Sequence, residues 1–263
     1  MILAAVGGGA VVKVLDIFYV EARRRDDKTA AATSFVDEHL DPLLKAADEL
    51  VGKLLSLGKE DFVSFSRLPR NPLQDPDFAS TTFLVARFWA QIEILRQQAL
   101  YVSISQDERG RRLQIFLDTL EARQVRLIDR ISQRAAGETL IVDDSPSTLR
   151  YVAFMRAAAD PEGDVGRWLE PLTSLLRRAN GTASRQQLLQ YAIVLHAMID
   201  TLDPEHSVTR DRPGMVDGKL TKRTWQHLRY RVFKVYLTFV EAPEKYIGRP
   251  RRPGGRRKGE AAR

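Results

Sequence analysis

His196, Asp200, Asp203 and His206 form the densest group of potential metal ligands in this sequence. His196 and Asp200 stand four apart, which puts them on one face of a helix, and neutral imidazole with carboxylate suits a borderline divalent cation. Helical spacing produces such pairs often, so His196 and Asp200 are weak metal candidates and an ordinary hydrogen-bonded pair is the plainer reading. A second group carries charge instead of ligands. Arg123, Arg126, Arg130 and Arg134 step by three, four and four, and on one continuous helix they form a stripe of guanidinium groups. Such a stripe either meets carboxylates from another helix, with Glu93 in "FWAQIEILR" a suitable partner, or faces a phosphate-bearing ligand, lipid or nucleic acid.

Familiar catalytic patterns are missing. The sequence holds no G-x-x-x-x-G-K-[ST], no G-x-S-x-G and no H-E-x-x-H, and its glycine triplet does not follow a strand pattern. With 0 cysteines there is no disulfide framework, thiolate metal site or cysteine nucleophile. These absences lean against an enzyme, imply no cofactor, and leave a helical hydrolase as the third of three readings.

The elements that must position these residues are helices. Val36, Leu40, Leu43, Ala47, Leu50, Leu54 and Leu57 alternate steps of four and three, the spacing of one apolar seam. Similar seams run through Val85, Phe88, Ile92, Leu95, Ala99 and Val102; through Leu188, Ala192, Leu195, Ile199 and Leu202; and through Trp225, Leu228, Val232, Val235 and Phe239. A rougher seam links Leu113, Leu117, Leu120, Leu127 and Ile131. No segment sustains an alternation of two, so the expected class is all-α, a multi-helix bundle. The periods predict helices over 30–57, 80–104, 107–135, 147–159, 163–179, 183–202 and 221–241. Ser184 and Gln187 have the spacing of a capping box. The connections 64–80 and 203–221 are long and proline-rich; Leu68, Leu73 and Phe78 should anchor the first, and the second has fewer anchors.

Three segments follow. Residues 1–25 are read as a membrane anchor or an amphipathic helix with a basic flank, 26–242 as the bundle, and 243–263 as a disordered Arg/Gly/Pro-rich tail. The opening run has an apolar part of about 18 Å as a helix, short of the roughly 30 Å of a bilayer core. Lys13 and Asp16 oppose insertion, whereas Gly7, Gly8 and Gly9 suit close packing of membrane helices, and Arg23, Arg24 and Arg25 would hold the body on the cytoplasmic side. Nothing charged precedes Lys13, so a cleavable export signal is not expected.

The net charge of +7 divides unevenly: residues 243–263 hold eight Lys/Arg against two Glu, leaving 33 against 32 for the rest. The body is balanced as a whole, and Arg251, Arg252, Arg256 and Arg257 make the tail the second anion-binding candidate. The leading functional expectation is a membrane-associated helical scaffold that binds an unidentified protein, with a cytoplasmic body. The alternative is an anion-binding module that takes lipid or nucleic acid on the arginine stripe and tail, with nucleic acid the less favoured of the partners.

Overall fold

The computed structural model describes residues 6–99, 104–143, 145–160 and 163–250, with side chains of the first helix described essentially from residue 33 onward. The chain is all-helical; among the described residues the only β pairing is an isolated bridge between Ile141 and Thr148. In order the helices are α1 (Val6–Lys59), α2 (Pro76–Gln98), α3 (Glu108–Glu121), α4 (Arg130–Glu138), α5 (Tyr151–Ala157), α6 (Asp164–Arg177), α7 (Thr182–Leu202), α8 (Lys222–His227) and α9 (Glu244–Ile247), with a π-helical turn over Leu228–Phe233.

Side-chain oxygens start several of these helices. Asp75 accepts from Phe78 N at 2.8 Å, Asp107 from Gly110 N at 2.9 Å, and Asp129 from both Ile131 N and Ser132 N. Each satisfies backbone donors that have no partner inside the helix. α7 is apolar around its circumference, from Leu188 to Ile199, and is accordingly the buried axis of the bundle. α1 and α3 pack on it, α2 packs on α1, and α4 lies against α2. Gly137 permits the last contact, since a Cβ there would stand 2.8 Å from the Trp89 backbone.

The seams on α1, α2 and α7 are buried as their spacing requires, including Phe88, Ile92, Leu95, Leu195 and Ile199. Other expectations need correction. The span 107–135 is two helices, because Ala122 adopts an extended backbone and residues 122–129 form a loop; Ile131, assigned to that seam, is 75% exposed. In the final seam Leu228 and Val232 are buried as expected, but Val235 is 57% exposed, and Phe233 and Leu237 point inward in its place. The π turn explains the shift, since Lys234 N bonds Arg229 O five residues back and the wider turn moves every later side chain off a 3.6-residue register. The capping box at Ser184 does not form: α7 starts earlier, at Thr182 after Gly181, and Gln187 bonds elsewhere. Residues 147–150 are not helical, because Val142 N and Leu149 N bond Ser147 O and Leu140 O.

The expected transmembrane helix is not supported, because among the described residues no helix is long and apolar enough to cross a membrane. Residues 6–25 form the start of α1, which continues to Lys59 with no break at 25 and runs through Pro42. Gly7, Gly8 and Gly9 belong to that helical backbone, and with Lys13 and Asp16 they dilute the hydropathy of the run; residues 1–5 lie outside the described residues.

The boundary at 243 also moves. α9 buries Tyr246 and Ile247, and Tyr246 O accepts from Met215 N. Trp225 Nε1 donates to Gly248 O at 2.8 Å, and Arg229 pairs with Glu244. Residues up to Pro250 are therefore part of the body, and Arg251, Arg252, Arg256 and Arg257 lie outside the described residues. Truncation after Pro243 should lower the unfolding free energy by about 3 kcal/mol or more, from the lost burial of a Tyr and an Ile. Truncation after Pro250 removes a stretch whose apolar side chains are one proline and two alanines and should leave it within about 0.5 kcal/mol, as urea titration of both forms will test.

Candidate functional site

The four arginines expected on one helix are divided by the loop. Arg123 and Arg126 stand in 122–129, and Arg130 and Arg134 on α4. The two halves have different chemistry. Glu121, 6% exposed, meets Arg96 Nη2 at 2.5 Å, Arg130 Nε at 2.9 Å and Arg134 Nη2 at 3.7 Å. Arg96 also holds Glu93 at 2.5 Å, and burial pushes the Glu93 carboxyl above its usual range against the pull of Arg96. Arg130 and Arg134 are thus interhelical fasteners joining α2, α3 and α4. Glu93 takes its place in that network through Arg96, with Arg134 nearby.

The metal-like group is also brought together, and a cation from the chain takes one oxygen of its central carboxylate, while Asp200 Oδ1 and His196 Nε2 are buried without a hydrogen-bond partner among the described residues. His196 Nε2 and His206 Nε2 lie 3.6 and 3.9 Å from Asp200 Oδ1, and Lys245 of α9 reaches Asp200 Oδ2 at 2.5 Å. Asp203 is occupied by Ser207 N, Val208 N and both Thr209 N and its hydroxyl, which fold the loop after α7. Among the described residues no group of three or more His, Asp and Glu has an arrangement that could hold a metal ion. His196 is 2% exposed, and its burial holds the imidazole below its ordinary value despite the nearby Asp200 carboxylate; Lys245 and Arg212 push the same way as burial.

Arg123 and Arg126 make no ion pair among the described residues and do not line the candidate site, which their loop borders through Gln124. Between Asp217 and Glu241 the sequence has no acidic residue, while it carries Lys219, Lys222, Arg223, Arg229, Arg231 and Lys234 among Trp225, Tyr230, Phe233, Tyr236 and Phe239. Lys219 pairs with Asp61 and Arg229 with Glu244. Lys222, Arg223, Arg231 and Lys234 are exposed and have no carboxylate partner among the described residues. Beside them Tyr230 is 49% and Tyr236 42% exposed.

Two adjacent glutamines of α7 build the walls. Gln187 Nε2 donates to Arg126 O and Leu127 O, fixing the loop 122–129. Gln186 Nε2 donates to Lys219 O, and its Oε1 accepts from Thr221 N, fixing the entry to α8, where Thr221 caps the helix through Thr224 N. A cleft of about 620 Å³ results between loop, α7 and α8. Its rim carries the guanidinium groups of Arg223 and Arg231, its wall the Tyr230 ring, and its lining the amides of Gln124, Gln190 and Gln226. Gln124 Nε2 donates to the Tyr236 hydroxyl at 3.4 Å, which ties loop and π segment together. His227 also lines it; burial holds this imidazole below its ordinary value, Arg231 and Arg223 add to that, and a hydrogen bond to the Gln124 backbone opposes it.

The arrangement offers positive charge for phosphates, exposed rings for flat groups and amides that both donate and accept. Sequence reasoning missed it because charge was summed over the whole body, where acids elsewhere cancel it. The signal available was the acid-free, aromatic-interleaved stretch itself. No family model matches this chain, and comparison with curated proteins and with solved structures also finds no match.

Two measurements check this description. Glu121→Ala removes the carboxylate shared by three guanidinium groups, of which Arg96 keeps Glu93 and Arg130 is half exposed, and should cost about 1 to 3 kcal/mol in urea unfolding. For His196 the sign follows from its depressed value: below pH ~6.5 the unfolded chain takes up a proton that the folded protein refuses, so stability is full above that range and declines as pH falls. Urea midpoints between pH 8 and 5.5 should fall more steeply for the wild type than for His196→Gln.

Proposed function

We propose that this protein is an all-α binding module that holds a single strand of nucleic acid on the α8 face. One observation carries the reading: two unpaired arginines, Arg223 and Arg231, and the exposed Tyr230 ring line a cleft with three amides, and Lys222, Lys234 and Tyr236 are exposed in the same acid-free stretch. Phosphates would lie on Lys222, Arg223, Arg231 and Lys234, and unstacked bases on Tyr230 and Tyr236, each such stack being worth about 1–3 kcal/mol. The amides favour a discrete strand over a lipid surface, because they supply donors and acceptors to base edges and have no such role against acyl chains. The π turn supports the reading as well, since such turns are frequent at functional sites and this one turns Val235 and Tyr236 outward.

Fluorescence anisotropy with a labelled oligo(dT) or oligo(U) strand tests it. Four phosphate contacts predict a slope of log K against log salt of about −3. Tyr230→Ala should weaken binding by about 5-fold or more, and Arg223→Ala with Arg231→Ala should flatten the salt slope by about 1.4, at roughly 0.7 per lost contact. His227 adds a pH signature: a phosphate beside it favours the protonated ring, so affinity should rise as pH falls from about 7.5 to 6, and His227→Ala should abolish the rise. Absence of oligonucleotide binding at low salt, or binding to anionic vesicles alone, would overturn the reading.

A further inference from the structure

A second cleft, of about 980 Å³, lies on another part of the surface, between the segment around the 3-10 turn Pro72–Gln74 and helix α6. Its walls have their own chemistry. Arg167 and Arg177 stand ten residues apart on α6, about 15 Å along the helix axis, and Arg70 faces them from the other side. All three are exposed, and none has a carboxylate partner among the described residues, whereas Arg87, Arg96, Arg109, Arg130 and Arg212 each do. Below the arginines the floor is apolar, from Leu73, Phe78 and Leu169, and Phe78 is fully buried.

We infer that this cleft binds an extended acidic segment of a partner protein. Charge complementarity selects the sign, because unpaired guanidinium forks match carboxylates in pairs of parallel hydrogen bonds. The spacing selects the pattern: an extended chain rises about 3.3 Å per residue, so carboxylates four or five positions apart span the distance from Arg167 to Arg177, with an apolar residue between them over Leu73 and Leu169. Glu170 lies between the two arginines on the same wall and excludes an acid at the central position. Among the described residues no exposed aromatic ring lines the cleft, so it lacks the stacking surface of the α8 face and fits a peptide better than bases.

The test is anisotropy of a fluorescein-labelled, unstructured peptide carrying two Asp five positions apart around a central Leu, titrated with the full chain. The same peptide with both Asp replaced by Asn, and oligo(dT) as competitor, complete the set. The acidic peptide should bind at least tenfold more tightly than the Asn form. Arg177→Glu and Arg167→Glu should each weaken it by at least tenfold while Lys45→Glu, an equal charge change elsewhere, alters it by less than twofold, with circular dichroism confirming that each variant is helical. Oligo(dT) should fail to displace the peptide. Equal affinity for the Asn peptide, or equal losses in the Lys45 and Arg177 variants, would overturn the inference. Displacement by oligo(dT) would overturn it too, by assigning the cleft to nucleic acid; failure of oligo(dT) to bind at α8 leaves the peptide result unaffected.

Discussion

Two neighbouring side chains on the buried axis, Gln186 and Gln187, hold together the surface on which the functional reading rests. A glutamine amide buried against helix-free backbone must find partners or cost about 1–3 kcal/mol per unsatisfied group. Here both are spent on chain segments that have no helical partners of their own: Arg126 O and Leu127 O on one side, Lys219 O and Thr221 N on the other. The loop 122–129 and the start of α8 therefore sit where α7 puts them. α7 in turn is fixed by apolar packing on nearly every side, so a flexible-looking surface is referenced to the most rigid part of the bundle.

The arginines divide according to what surrounds them. Those at the α2–α3–α4 junction surround Glu121 and Glu93 in partial burial, where a missing partner would leave an uncompensated charge. Arg223 and Arg231 beside the α8 cleft, and Arg167 and Arg177 on α6, stand exposed with no carboxylate partner among the described residues, and this costs little folding stability because water solvates them. The same residue type is structural in one place and available to a ligand in another. Burial and nearby carboxylates decide which.

Much of the bundle was legible in the spacing of apolar residues. α1, α2 and α7 follow their seams because a long helix with one or more buried faces leaves a repeated signal, from Val36 to Leu57 and from Leu188 to Leu202. The break after Glu121 was not legible, since Arg123 to Ile131 continues the period and only Gln187, distant in sequence, draws those carbonyls out of a helix. The π turn was hidden for a related reason: one wider turn shifts the register without changing composition, so Val235 reads as core although it is exposed. Tyr246 and Ile247 are two apolar residues in a basic stretch, too short for any periodic signal, and Asp200 and Met215 reveal their role only in three dimensions. Of the candidate site, the residues were visible and their isolation from acids was not.

The central claim is that a strand lies across Tyr230 and Tyr236 beside Arg223 and Arg231. Ultraviolet crosslinking of the full chain to a uniformly photoreactive oligonucleotide, followed by mass spectrometry of the digested protein, locates the contact directly. The account predicts adducts on peptides containing Tyr230 or Tyr236, with a lesser share on the loop that carries Gln124. Adducts confined to the Arg70 and Arg177 cleft, or none above the level given by an unrelated helical protein, would contradict it.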